Sequence, residues 1–159
     1  MWSPGQRIGD YEIVAKLREG GMATLFLARR TGAAGFSRHV AIKVIHPDLA
    51  NDEQFRQMFL DEALLSSRID HPNVVHVEEL HQYEDAHYLT MEFVHGCSLS
   101  QLQRALLARG RRLAPAFATR IAMHVADGLH AAHETCDESG RALSVVHRDV
   151  TPENILLAY

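Results

Sequence analysis

Along residues 11–17, Tyr11, Ile13, Ala15 and Leu17 alternate with Glu12, Val14 and Lys16. A period of two of this kind predicts a half-buried β-strand. Gly20-Gly21 then marks a turn, and residues 24–30, carrying Leu25, Phe26 and Leu27, read as the returning strand. A loose loop through residues 31–37 leads to a third strand, residues 39–45, rich in β-branched side chains. Asn51, with Gln54 three positions on, has the form of a helix N-cap with its capping box. The helix it opens runs to about Arg68 and ends at His71-Pro72-Asn73. Residues 74–80 and 87–94 predict two more strands, joined by the polar turn Glu84-Asp85-Ala86.

From Gly96 the period lengthens. Leu99, Leu102, Leu106 and Leu107 fit a short helix; Phe117, Ile121, Val125 and Leu129 recur every four residues and fit a longer one. Pro115 suits the first turn of that second helix. Val145 and Val146 are expected to form a small ribbon with Ile155-Leu156-Leu157. The pattern as a whole is α+β. It predicts a five-stranded antiparallel lobe with one inserted helix over residues 8–94, followed by a helical part over residues 95–159.

Composition narrows the functional classes. An apolar fraction of 47% and a charged fraction of 23% are those of an ordinary globular chain. Net charge is -4, which argues against nucleic acid or an anionic membrane as the main partner. Cys97 and Cys136 form no C-x-x-C pair and read as reduced thiols of a cytoplasmic protein. Residues 1–7 lack the apolar core of a signal peptide, and no run approaches the ~18 apolar residues of a membrane span. The eleven histidines include His130 and His133, and an evenly spaced His71, His76 and His81. None comes with carboxylate or thiolate ligands at a recognised metal spacing, so they read as surface or capping residues.

Two charges break the apolar pattern. By strand alternation Lys43 shares a face with Ala41 and Ile45. Glu62 lies three, four and seven positions after Phe59, Met58 and Phe55, on the apolar side of its helix. Buried charges need partners, and each of these is the natural remedy for the other. Near the C-terminus stands His147-Arg148-Asp149-Val150-Thr151-Pro152-Glu153-Asn154. This octet fits H-R-D-x-x-x-x-N, and Val40-Ala41-Ile42-Lys43 fits V-A-I-K; together they resemble the catalytic loop and phosphate-binding strand of protein kinases.

The resemblance extends from Tyr11 to Tyr159 and implies a protein-kinase-like fold: a complete N-lobe and the beginning of a helical C-lobe. It implies ATP and Mg2+ as cofactors, with Asp149 as the base and Asn154 as a magnesium ligand. Lys43, paired with Glu62, would hold the α- and β-phosphates. The retained proline of Val150-Thr151-Pro152-Glu153 is similar to the Ser/Thr type of a bacterial kinase, although Thr151 replaces the lysine that steadies the γ-phosphate. In the glycine-rich loop only Gly20 keeps its place, followed by Gly21; Arg18 and Ala23 stand at the outer glycine positions. Met91-Glu92-Phe93-Val94 resembles the kinase hinge, where backbone groups at Glu92 and Val94 would meet the adenine edge and Met91 the back of its pocket. Leu17, Leu25, Ala41 and Leu156 fall where the family surrounds the adenine, and their composition suits a plain core equally well.

No D-F-G and no A-P-E occurs. The expectation is therefore a fragment of a longer Ser/Thr protein kinase, inactive alone, whose substrates are protein hydroxyls. A pseudokinase-like nucleotide-binding or scaffolding module is the alternative. A third and remote class is an α+β interaction domain that binds no nucleotide.

Overall fold

In the computed structural model, residues 2–84 and 86–159 are described. Asp85, in the expected polar turn, lies outside them. The chain divides into two compact units. The first holds the residues up to Arg68 together with His76–Phe93; the second holds Ile69–Val75 and Val94–Tyr159.

The first unit is an antiparallel sheet of β1 (Arg7–Ile8), β2 (Tyr11–Glu19), β3 (Ala23–Thr31), β4 (Ser37–Ile45), β5 (Val77–Tyr83) and β6 (Ala86–Glu92). Their order is β1-β2-β3-β4-β6-β5. The sixth strand beyond the expected five is the two-residue β1, too short to carry an alternating pattern. Strand β5 begins at Val77 rather than at residue 74. The β2–β3 ladder slips between Ile13 and Ala15 and again between Lys16 and Arg18. Val14 and Leu17 therefore fall at bulges, and the expected alternation ends before Leu17, which is largely exposed.

Strand β4 is apolar on both faces. Val40, Ile42 and Val44 join Ile8, Tyr11, Ile13, Phe26, Ala28 and Tyr88 in one core cluster. Ile45 faces the other way, into a cluster with Phe59, Ala63, Val77 and Leu89. Phe59 and Ala63 belong to α2 (Glu53–Ser66), which follows the four-residue α1 (Pro47–Ala50). The cap of α2 is Asp52, not the expected Asn51: its carboxylate accepts the N–H groups of Gln54 and Phe55. An Asp one position later serves the same orphan donors, and the sequence pattern cannot choose between neighbouring caps.

The sheet curls. Three strands separate β2 from β5, a spacing of roughly 19 Å in a flat sheet. Yet the rings of Tyr11 and His81 lie 5.7 Å apart, and His81 stacks on Tyr88 at 4.9 Å. Trp2 adds an edge-on contact to Tyr88 at 5.2 Å and lies beside Phe26.

In the second unit, β7 (Gly96–Ser98) leads directly into α3 (Leu99–Leu107), followed by α4 (Pro115–His133) and β8 (Leu156–Ala158). The partner of β8 is β7, not the expected Val145 and Val146. Gly96 is where that pairing needs glycine: a Cβ there would lie 1.9 Å from the carbonyl oxygen of Leu157. Gly128 lets α4 approach Asn73 in the same way, with a Cβ meeting its carbonyl at 2.9 Å. This contact explains why Ile69–Val75 belongs to the second unit. The expected stripe on α4 is half-buried at Ile121, Val125 and Leu129, while Phe117 is 66% exposed. Among the described residues no helix is long and apolar enough to cross a membrane.

The start of α3 satisfies all four orphan N–H groups of a helix N-terminus. Ser98 N–H donates to Gln101 Oε1 at 2.8 Å, and Gln101 N–H donates to Ser98 Oγ at 3.2 Å, a reciprocal capping box. Leu99 N–H donates to Ile155 O at 2.8 Å, and Ser100 N–H to Pro152 O at 3.0 Å. The helix thereby holds the segment that carries the H-R-D octet.

Ser98→Ala removes one of these acceptors and is expected to cost about 1 kcal/mol in urea titration, whereas Ser98→Asp should stay near the wild type. Tyr88 gives a second prediction. Burial, with smaller contributions from Tyr11, Asp10 and Glu79, pushes its phenol up to about 12. The folded state keeps the proton in a range where the unfolded chain, at about 10, has lost it. That contribution is complete below about pH 10 and disappears as pH rises through about 12, an alkaline loss of up to about 2–3 kcal/mol. In Tyr88→Phe the loss of stability between about pH 9 and about pH 11.5 should be smaller than in the wild type by part of that amount; equal losses would refute the assignment.

Candidate active site

In the first unit, Lys43 sits two residues before the end of β4, in register with Leu25 of β3 and Leu89 of β6. Its ammonium donates to Glu62 Oε1 at 2.5 Å and lies 5.7 Å from the ring centroid of Phe59. The two side chains are 28% and 53% exposed. A pair this open to solvent contributes about 1 kcal/mol or less, so its effect is mainly on direction. Of the three donors on the ammonium, the Glu62 oxygen takes one.

The hairpin between β2 and β3 closes through Gly20 N–H to Ala23 O at 3.0 Å. A Cβ on Gly20 would sit 3.3 Å from that same carbonyl, whereas one on Gly21 would meet nothing within 4 Å. The chain's own packing therefore does not require glycine at Gly21. What a bare backbone offers there is unobstructed approach for an external group. Thr24, at the base of the turn, is buried and hydrogen-bonded to the ring of His46. No sequence pattern marks that pair, because a lone histidine after a strand carries none.

Leu25 and Ala41 lie on β3 and β4, and Ala41 is paired with Met91. Leu17 lies at the second β2 bulge. Glu92 ends β6, and its two polar groups are turned onto His76. The Glu92 N–H donates to His76 O at 3.0 Å, and the His76 N–H donates to the Glu92 carboxylate at 2.9 Å. Those two bonds fix the strand end before the chain leaves the unit. Val94 and Leu156 belong to the second unit, the latter on β8.

Also in the second unit, the H-R-D octet forms a tight loop. Arg148 adopts φ 62°, a left-handed conformation that costs a non-glycine residue about 1–3 kcal/mol. Asp149 N–H donates to His147 Nδ1 at 3.2 Å, and Thr151 N–H donates to Asp149 O at 3.1 Å. The Asn154 amide nitrogen donates to Asp149 Oδ2 at 2.6 Å and to Asp149 O at 3.0 Å. These two bonds fix the orientation of the Asn154 amide against Asp149. The Asp149 carboxylate is thereby held in a fixed position within the loop. Among the described residues, no group of three or more His, Cys, Asp or Glu is arranged to hold a metal by itself.

A sequence model of the family described as protein kinase domain matches residues 11–159. The chain is 44% identical over 155 residues to the tyrosine-protein kinase MasK of Myxococcus xanthus, covering 97% of this chain and 24% of MasK. It is 36% identical over 154 residues to the serine/threonine-protein kinase PrkC of Bacillus subtilis, covering 96% of this chain and 22% of PrkC. The chain thus spans about a quarter of the length of these curated relatives. The crystal structure of the Mycobacterium tuberculosis PknI kinase domain superposes with a TM-score of 0.73 at 26% identity. That match covers 99% of this chain and 59% of the PknI chain. The motifs, the fold and the relatives agree: this chain belongs to the protein kinase family.

Proposed function

We propose that this chain supplies the nucleotide-binding lobe and the catalytic loop of a cytoplasmic Ser/Thr protein kinase. The Lys43–Glu62 contact carries the reading. An ammonium on an otherwise apolar strand face has no structural purpose that a methionine would not serve better. Held by Glu62, it retains donors for the α- and β-phosphates of ATP. Gly20 and Gly21 add backbone that a phosphate can approach without meeting a Cβ.

Roles for the other residues follow from their chemistry. Because the Glu92 N–H is bonded to His76, an adenine amine would use the Glu92 carbonyl. Leu17, Leu25, Ala41 and Met91 would supply the apolar surroundings. Asn154 would hold Mg2+ through its amide oxygen; when bound, that ion neutralises charge on the β- and γ-phosphate oxygens. Asp149 accepts the proton of the attacking hydroxyl as its oxygen bonds to the γ-phosphorus and the bond to the β-phosphate oxygen breaks. The proline after Thr151 supports a serine or threonine acceptor; the similarity to the tyrosine-protein kinase MasK makes tyrosine the competing acceptor.

The test uses the protein that carries this chain together with a D-F-G segment. Lys43→Met is expected to lower phosphoryl transfer roughly a hundredfold or more while leaving the circular-dichroism melt unchanged. Retained transfer would overturn the Lys43 role. Phosphoamino-acid analysis of the product should show phosphoserine or phosphothreonine. If Mg–ATP raises the melting temperature but no transfer occurs even in the intact protein, the chain is a nucleotide-binding module instead.

A further inference from the structure

We propose that His46 is a positioning residue that clamps the phosphate-binding hairpin to the strand carrying Lys43; this rests on the nucleotide-binding reading above. Two bonds define the clamp. His46 N–H donates to the carbonyl of Met22, at the tip of the hairpin, at 3.0 Å. Its ring Nε2 lies 3.0 Å from the hydroxyl of Thr24, at the base of the returning strand. Thr24 is 2% exposed and one of only two buried polar residues among those described; the other, Thr90, is satisfied by the carbonyl of Glu79. A buried hydroxyl without a partner is costly, so the ring is what allows a threonine at this place.

The backbone of His46 is prepared for the task. It precedes Pro47, which disfavours helical conformations, and it is extended at φ -65° and ψ 138°. It occupies the N-cap position of α1, but its side chain makes no cap bond. The imidazole is turned to the hairpin instead. Since β3 and β4 pair Ala23 with Ile45 and Thr24 with Val44, the clamp acts just past the end of a continuous ladder that also contains Lys43. The hairpin backbone and the ammonium are thus referred to one strand. This matters in a hairpin that lacks the outer glycines and places Arg18 and Ala23 there. A loop with fewer glycines cannot mould itself to the phosphates, so its resting shape must already suit them.

The test is a double-mutant cycle on the whole chain, read by Mg–ATP affinity and by amide hydrogen exchange. His46→Ala and Thr24→Val should each weaken Mg–ATP binding about threefold to tenfold, and the double variant should be no worse than either. Amides of residues 20–24 should exchange about tenfold faster in all three, with α2 and β6 unchanged. His46→Gln, which can still reach the hydroxyl, should recover most of the affinity. Unchanged local exchange, or penalties that simply add, would overturn the clamp. If His46→Ala does not fold, Thr24→Val and His46→Gln give the same decision. If the wild-type chain binds no Mg–ATP, the nucleotide reading fails, and the exchange measurements still decide the clamp.

Discussion

A lysine near the end of β4 meets a carboxylate on α2, and that pairing sets the direction in which the helix lies against the first unit's sheet. Both faces of the strand are needed for cores: Val40, Ile42 and Val44 on one side, Ala41 and Ile45 on the other. Lys43 interrupts the second face. Its charge is tolerated because Glu62 reaches it and because Phe59, one turn earlier on α2, covers the ammonium with an aromatic ring. Phe59 and Ala63 seat the helix through apolar contact, and Glu62 fixes which way round it sits. The same residues serve packing and electrostatics, so rotating α2 by one position would lose both.

The second unit meets a different demand with similar economy. A helix begins with donors that nothing inside the helix can accept. Here Ser98 and Gln101 satisfy two of them, and the carbonyls of Ile155 and Pro152 satisfy the others. The strained Arg148 lies just upstream of those carbonyls, and the Asp149–Asn154 contact spans the one of Pro152. A loop that carries a left-handed arginine has to be held by its surroundings, and the start of α3 does part of that holding.

Much of this was legible in the sequence because it depends on local period. The alternation at Tyr11 and Ile13, the β-branched run ending at Ile45, and the four-residue spacing along α4 all place elements where they occur. The awkward positions of Lys43 and Glu62 also predicted their meeting. What escaped were choices set by distant partners. Whether Asn51 or Asp52 caps α2 depends on which backbone turns first. The partner of β8 is Gly96–Ser98 because only a residue without Cβ allows that approach, and two valines in sequence were the more obvious candidates. The bulges at Val14 and Leu17 answer to the curl of the whole sheet. The Thr24–His46 bond joins two residues that are ordinary until the strands bring them together.

The capping of α3 also bears on how the protein comes into being. Leu99 and Ser100 are made early, but their acceptors, Pro152 and Ile155, are among the last residues of this sequence to leave the ribosome. Until then the helix start is only half satisfied, and β7 has no strand to pair with. The first unit has every partner for its sheet once Glu92 has emerged. Synthesis therefore delivers every strand of the first unit's sheet well before the H-R-D loop can be fastened, and a ribosome stalled between these points would hold the one without the other.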